Sequence, residues 1–237
     1  MRALCVAVLI GLCATAYGQG EAAPSASSST TPKHLLAGVR AFKAAHYEEA
    51  LVELRIVARA SDAPADLAFY LGPTLYKLGR YQDALDVFLD SKASRDTLTD
   101  FYLAQTYYRL ALYRSARSVF VDLRTRGLGP ALDAAAGEYV AEIDRGYLRA
   151  PQPVVVEAYV AQAGALGDAR LAAAYFEEAR QVDELAGTHR AEEISWQLAK
   201  RYVVLGDGAH ARPLLEPIAA GHGAHAAEAA DMISKLP

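Results

Sequence analysis

The chain has 237 residues, of which 22% are charged, and its formal net charge is −4. Because this mildly acidic charge is spread along the chain without a basic run, the composition excludes an electrostatic nucleic-acid binder. No apolar segment beyond the amino terminus is long enough to predict a membrane span in the mature protein. Both cysteines, Cys5 and Cys13, precede residue 18, so a chain without this segment would have no thiol, disulfide or cysteine metal ligand.

The first residues have the pattern of a secretory signal peptide. Met1 and Arg2 give a short basic start, residues 3–14 are apolar, and small residues suitable for cleavage follow. The apolar run is too short for a stable membrane anchor. We therefore expect residues 1–18 to be removed as a signal peptide and the mature protein to be periplasmic or secreted. A lipoprotein signal on Cys13 is disfavoured, because Leu12 stands where such signals have a small residue.

Residues 19–33 form a segment of small polar residues and prolines. Such a composition cannot bury enough apolar surface to offset the loss of chain entropy on folding. We expect it to be a disordered linker between the signal peptide and the folded body.

Three segments then repeat one order of residues: "FKAAHYEEALVEL" at 42–54, "LYKLGRYQDALDVF" at 75–88 and "YYRLALYRSARSVF" at 107–120. In each, a tyrosine is followed by an alanine and a large apolar residue on the same helix face. A small residue nine positions before each tyrosine would let a preceding helix approach closely. The pattern predicts stacked helical hairpins. These positions hold Gly38, Tyr47, Ala50 and Leu54; Gly72, Tyr81, Ala84 and Phe88; and Ala104, Tyr113, Ala116 and Phe120.

This pattern resembles the tetratricopeptide repeat (TPR), whose period is about 34 residues. The middle copy matches best, with Leu71 and Gly72 on its first helix and Gly79 between its helices. The other copies have Ala45 and Ala111 in place of Gly79. The resemblance implies an all-α, TPR-like α-solenoid of stacked antiparallel helix pairs.

Two weaker copies follow, "LGDARLAAAYFEEA" and "LAKRYVVLGDGAHARPLL". Between the third and fourth copies, residues 130–145 do not fit the period and predict an extra helix. The segment "PVVVEAYV" at 153–160 favours a helix, with a strand as the alternative. Residues 223–235 predict a terminal helix that covers the last apolar face. The predicted division is repeats 1–3 at 34–126, a connecting helix at 127–152, repeats 4–5 at 153–221 and a capping helix at 222–237.

Prolines interrupt two of the predicted helices. Pro73 lies inside the first helix of the second repeat, where it either bends the helix or is tolerated through stacking. In the fifth copy, Pro213 fits an opening turn, whereas Pro217 would remove a hydrogen bond inside the second helix. We expect that helix to be short or bent.

The sequence has no constellation typical of catalysis. It lacks a phosphate-binding glycine loop, a serine nucleophile elbow and a His-Glu-x-x-His zinc helix. The remaining candidate is His222, His225 and Glu228, residue types that zinc can use. Because the neighbouring glycines favour an exposed turn, we interpret this segment as surface. The prediction is therefore a protein that is not an enzyme and has no cofactor or metal.

The first helices of repeats 1–3 carry an aromatic residue followed by a cation at equivalent positions, and a large apolar residue seven positions earlier. In tetratricopeptide folds the first helices line the concave groove, so the resemblance implies aromatic rings edged by positive charge. Such a surface suits an extended or helical peptide with apolar anchors and acidic groups. Packing between repeats is the alternative role for these rings. The predicted groove residues are Leu35, Phe42, Lys43, Phe69, Pro73, Tyr76, Lys77, Phe101, Gln105, Tyr108 and Arg109.

We therefore expect an exported, non-enzymatic scaffold or adaptor that binds a partner protein or peptide in the cell envelope. The carboxylate clamp of some family members is absent, because Leu35 and Val39 stand at the corresponding positions. The alternative is a structural subunit that assembles into an envelope complex through its convex faces and extra helix.

Overall fold

The computed structural model describes residues 30–61, 63–91, 96–146, 152–186 and 190–236. The predicted signal peptide and residues 19–29 of the predicted linker lie outside this part of the chain. Within the described ranges every regular element is helical and no strand occurs, which confirms the all-α fold. The helices are α1 (Thr30–Lys43), α2 (Tyr47–Ala58), α3 (Ala68–Lys77), α4 (Tyr81–Asp90), α5 (Thr97–Arg109), α6 (Tyr113–Arg126), α7 (Pro130–Gly146), α8 (Gln152–Ala165), α9 (Ala169–Ala186), α10 (Ala191–Val204), α11 (Gly208–Ala220) and α12 (Ala226–Lys235), with a short 3-10 helix (Ala65–Leu67) before α3.

The first six helices form three hairpins whose helices approach at the predicted small residues. A methyl group added at Gly38 would lie 2.7 Å from Cγ of Leu54, and one added at Gly72 would overlap the ring of Phe88. Leu54 and Phe88 are themselves fully buried. A glycine on the first helix therefore makes room for the large residue on the second.

The turns inside four hairpins share one backbone geometry. The second residue after each first helix has a positive φ, as at Ala45 (61°), Gly79 (74°), Ala111 (61°) and Gly206 (70°). Its amide donates to the carbonyl three residues back, and the next amide donates to the carbonyl five residues back. This closure pairs carbonyls that the end of a helix would leave without partners. Alanine adopts the conformation at a cost of about 1–2 kcal/mol per residue.

The extra helix α7 packs on α6, where the first helix of a further repeat would lie. Two ion pairs join them, from Arg124 Nε to Asp133 Oδ1 at 2.9 Å and from Arg117 Nε to Asp144 Oδ1 at 2.7 Å. The segment that allowed two interpretations at residues 153–160 lies in α8 and is helical. Helices α8 and α9 then pair with each other, as do α10 and α11. Helix α1 begins at Thr30, so the last residues of the predicted linker are helical.

Helix α11 runs for 13 residues through both Pro213 and Pro217. It is therefore not short, and a bend at the prolines stays a prediction. Pro213 lies beyond the opening turn in which the sequence analysis placed it. Each proline leaves the carbonyl four residues earlier, at Ala209 and Pro213, without its helical donor. Both prolines and Ala209 are exposed, so water can reach these carbonyls and replace the lost hydrogen bonds.

Two apolar clusters of the described residues belong to the core. The larger joins the first three repeats to α8, α9 and the start of α10. The smaller surrounds Trp196, which is 2% exposed and stacks on the His225 ring with centroids 4.7 Å apart. Trp196 is therefore a packing residue, and α12 covers α11 through Ala229. Among the described helices, none combines the length and apolar character that crossing a bilayer requires.

Candidate functional site

The predicted groove residues differ widely in exposure. The three cations are exposed. Most of the apolar side chains are half-buried, and three residues of the set are buried within the helix pairs. The exposed residues are Lys43, Lys77 and Arg109; the half-buried ones are Leu35, Phe42, Phe69, Tyr76 and Tyr108; and the buried ones are Pro73, Phe101 and Gln105.

The half-buried rings belong to a regular aromatic ladder. In each of the first three repeats, the ring near the end of the first helix contacts the tyrosine that opens its own second helix. It also contacts a tyrosine on the first helix of the following repeat, or on α7 after the third repeat, so the rings connect successive repeats. The central rings, each with its two neighbours and the centroid distances, are Phe42 with Tyr47 (5.9 Å) and Tyr70 (6.2 Å), Tyr76 with Tyr81 and Tyr102 (both 5.5 Å), and Tyr108 with Tyr113 (5.6 Å) and Tyr139 (5.0 Å).

Tyr139 of helix α7 is the last ring of this aromatic ladder. The Tyr139 ring stacks on Phe120 with centroids 4.8 Å apart and planes 6° from parallel. Its hydroxyl accepts a hydrogen bond from Nε2 of Gln105 at 3.2 Å. Phe101 packs edge-to-face against Phe120 at 5.5 Å. The third repeat is therefore closed by α7 much as a following repeat would close it.

The tyrosines on the following helices that contact these rings were not predicted from the sequence. Tyr70 and Tyr102 lie six positions before Tyr76 and Tyr108, and this spacing was a usable signal. The same register in the first repeat holds Leu36, which is 51% exposed because no repeat precedes it among the described residues.

Two cations of the set lie against rings of the ladder. Arg109 donates from Nε and Nη2 to the Tyr81 hydroxyl, at 2.9 and 2.6 Å, and its guanidinium lies 5.1 Å from that ring centroid. This hydrogen bond raises the pKa of Arg109 above its ordinary value. Lys77 Nζ lies 5.7 Å from the centroid of Tyr102. Since the rings are neutral, they orient these charges without cancelling them.

Two tyrosines of the ladder hold their protons more tightly than a free tyrosine does. Burial raises the pKa of Tyr76 well above its usual range, and burial likewise raises the pKa of Tyr139. These two hydroxyls therefore carry no negative charge at physiological pH.

A second group of contacts, which the repeat pattern did not indicate, joins α8 and α9 to the turn between α5 and α6. Tyr159 donates its hydroxyl proton to the Ala111 carbonyl at 2.8 Å, and Tyr175 donates to the Leu110 carbonyl at 2.5 Å. Glu178 of α9 accepts from the amides that open α6. These contacts fix α9 against the third repeat.

The histidine segment near the carboxyl terminus has structural contacts. His225 Nε2 lies 3.2 Å from Glu193 Oε2, and the same ring stacks on Trp196. Within the described ranges, no group of three or more His, Cys, Asp and Glu residues is arranged to hold a metal ion.

No protein-family model and no curated protein matches the chain. Three of the solved structures that resemble it are tetratricopeptide-repeat structures. The TPR2AB domain of yeast Sti1, in its pHSP90 complex, is 14% identical and has a TM-score of 0.42 over 87% of this chain and 98% of its own. The P58(IPK) TPR domain is 13% identical, with a TM-score of 0.41 over 87% of this chain and 64% of its own. The thermophilic TPR protein TTC0263 of Thermus thermophilus is 19% identical, with a TM-score of 0.33 over 87% of this chain and 94% of its own. These likenesses transfer no residue role.

Proposed function

We propose that this chain is an exported, non-enzymatic scaffold that binds a partner protein or peptide through the first-helix face of repeats 1–3. The observation that carries the proposal is the row of exposed cations Lys43, Lys77 and Arg109, here called the cation stripe. Each is the last residue of its helix, α1, α3 or α5. The three cations therefore occupy equivalent places in successive repeats.

The rings of the aromatic ladder lie beside the cation stripe. Because each ring is held by two others, little side-chain entropy remains to be lost when a partner covers its exposed edge. The cations then favour a partner with acidic groups and accelerate association more than they add affinity. A suitable partner is an extended or helical peptide with carboxylates spaced along one side and apolar side chains between them.

The test uses the charges rather than the rings, since truncation of Tyr76 or Tyr108 would also remove packing between repeats. The variant Lys43→Glu/Lys77→Glu reverses two charges of the stripe. The matched control, Lys33→Glu/Lys235→Glu, reverses two exposed lysines outside it. Mature wild-type and variant proteins are used for affinity capture from an envelope fraction, and their melting curves are compared.

We expect one stoichiometric partner to be retained by the wild type and the control and lost by the stripe variant, with similar melting curves for all three. A partner that all three retain equally would overturn binding at the stripe. A photo-crosslinker placed at position 77 or at position 52 then shows which face the partner touches.

A second candidate function, assembly into an envelope complex through the outer faces, is favoured by a separate observation. Large apolar side chains are exposed on the second helices of the first and third repeats: Val52 (61%) and Ile56 (41%) on α2, and Val121 (36%) on α6. Exposed apolar groups of this kind mark contact surfaces when they lie together. Crosslinking from position 52, with none from position 77, would support assembly over groove binding.

A further inference from the structure

An exposed apolar pair lies on the second helix of the first repeat. Val52 is 61% exposed and Ile56 is 41% exposed. Because residues four apart lie on the same side of a helix, the two side chains are neighbours. Glu48 lies one turn before them in the first turn of α2, and Arg59 follows them as the last residue of the helix end; both are exposed. We call these four residues the α2 face.

The corresponding positions of the second repeat already form an interface inside this protein. One repeat period after Val52 and Ile56 stand Asp86 and Asp90 on α4. Arg170 of α9 contacts both carboxylates, with its Nη1 3.7 Å from Asp86 and 2.8 Å from Asp90. In the first repeat the same two positions are apolar and stay exposed. Neighbouring apolar side chains at such a place mark a surface that another molecule covers.

The order of charges makes the α2 face complementary to itself. Its acidic residue lies at the amino end of the helix, its basic residue lies at the carboxyl end, and the apolar pair lies between them. In two antiparallel copies of α2, Glu48 of each copy faces Arg59 of the other, with Val52 and Ile56 of both copies in the middle. A parallel arrangement would bring like charges together instead.

The two charges that this arrangement needs are available. Within the described part of the chain, neither Glu48 nor Arg59 forms an ion pair. The nearby Arg55 differs, because its Nη2 lies 3.6 Å from Asp83 of α4. Glu48 and Arg59 can therefore pair with a second molecule without breaking an ion pair of their own chain.

We propose that the α2 face is the contact surface between two copies of this chain related by a two-fold axis. A two-fold interface uses the same patch on both copies and therefore has to be complementary to itself. The α2 face meets this condition in antiparallel packing, which is why a second copy fits it. The proposal goes beyond the proposed function, because α2 carries no residue of the cation stripe. A contact through one short helix is smaller than a standard interface, so we expect a dissociation constant in roughly the micromolar range.

The test follows association of the mature protein by sedimentation velocity at concentrations from about 1 μM to about 500 μM. The wild type should change from monomer to dimer over this range. Val52→Glu places a carboxylate in the apolar centre and should raise the dissociation constant at least about tenfold. Val154→Glu, at a valine on α8 that is 68% exposed, is the matched control and should dimerise like wild type. A wild type that stays monomeric, or an equal effect of the two substitutions, would overturn the proposal.

Charge exchange tests the antiparallel arrangement. Glu48→Arg and Arg59→Glu should each weaken the dimer at least about tenfold, because each brings like charges together twice across the interface. An equimolar mixture of the two variants should dimerise again, since the cations of one variant then face the carboxylates of the other. Both changes also oppose the dipole of α2, but a loss of helix stability cannot produce this recovery. A mixture that is no more dimeric than the separate variants would overturn the proposal.

A photo-crosslinker at position 52 separates this proposal from the two candidate functions. In the purified mature protein it should join two copies of the chain, and the wild-type groove should still capture its partner. Crosslinks from position 52 to a different protein, with none between copies, would overturn the two-fold contact and favour envelope assembly. Loss of the groove partner alone would contradict the proposed function and leave crosslinked dimers as support for this proposal.

Discussion

The carboxylate of Glu178 accepts hydrogen bonds from both the backbone amide and the hydroxyl of Ser115, at 3.1 and 2.9 Å. Its other oxygen accepts from the amide of Arg114. Helix α6 has no capping side chain of its own at Leu112, so Glu178 supplies from a distant helix the acceptor that the first turn requires.

Replacing Glu178 with glutamine should destabilise the protein. The amide group retains one acceptor but turns a donor toward the α6 amides, and the hydrogen bond lost in this way is worth about 1–3 kcal/mol. Urea unfolding at neutral pH measures the loss. Glu184→Gln, at an exposed place on the same helix, is the control and should change the free energy of unfolding by less than about 0.5 kcal/mol. Equal effects of the two changes would contradict a capping role.

The contribution of Glu178 should also depend on pH. Burial raises its pKa above the ordinary value, although the hydrogen bonds from Arg114 and Ser115 act in the opposite direction. The folded protein therefore binds the proton of the Glu178 carboxyl more tightly than the unfolded chain does. The resulting stabilisation is complete below the unfolded pKa, near about 4.3, and is lost as pH rises through the folded pKa. The difference in unfolding free energy between wild type and Glu178→Gln should be larger at about pH 4 than at neutral pH; a difference that shrinks on acidification would contradict this.

The left-handed turns predict opposite effects for two glycine replacements. Gly79 has a φ of 74° and open space around its missing side chain, so Gly79→Ala should cost about 1 kcal/mol for purely conformational reasons. Gly164 also has open space but lies in α8 without a positive φ. Gly164→Ala should therefore stabilise by about 0.5–1 kcal/mol. Thermal unfolding measures both effects. A shift of the melting temperature in the same direction in both variants would show that the turn conformation is not the cause.

The local parts of this fold were predictable because they repeat. The register of Gly72 and Phe88 follows from the helical period, and each hairpin buries the same pair of positions. Alanines in the glycine place did not alter the turn, since Ala45 and Ala111 accept the left-handed conformation. The local pattern was therefore sufficient to predict the helix pairs.

The remaining features depend on position in three dimensions. Glu178 meets Ser115 across 63 residues, and no period relates α9 to the turn that it contacts. Helix α11 continues through Pro217 because the face of the helix that carries this proline is exposed. The residue type alone does not show that exposure. At the candidate site the spacing indicated Tyr76 and Tyr108, but Tyr139 comes from the extra helix, outside the repeat.

Export, as proposed, predicts a shorter mature chain. The apolar segment at residues 3–14 must enter the translocation machinery, and a charge at its centre opposes that transfer. Leu9→Arg should therefore leave the full-length precursor inside the cell, whereas the wild type should be recovered from the envelope or medium without residues 1–18. Intact-mass measurement of both fractions checks this. Wild-type protein that retains Met1 and stays with the cytoplasmic fraction would contradict export.

The close approach of α3 and α4 can be tested as a coupled pair. A methyl group at Gly72 would overlap the Phe88 ring, which is fully buried, so Gly72→Ala should destabilise by about 1–3 kcal/mol through overpacking. Phe88→Leu alone should also destabilise, because it leaves a cavity in a close-packed core. In the double variant the methyl group enters the space that the ring vacates. The losses of unfolding free energy in the two single variants should therefore sum to more than the loss measured for the double variant. A coupling energy of about 1 kcal/mol or more in this cycle is expected. Additive losses would mean that the small residue at position 72 is not required by the large residue at position 88, and the packing rule inferred from the repeats would fail at its best-matched copy.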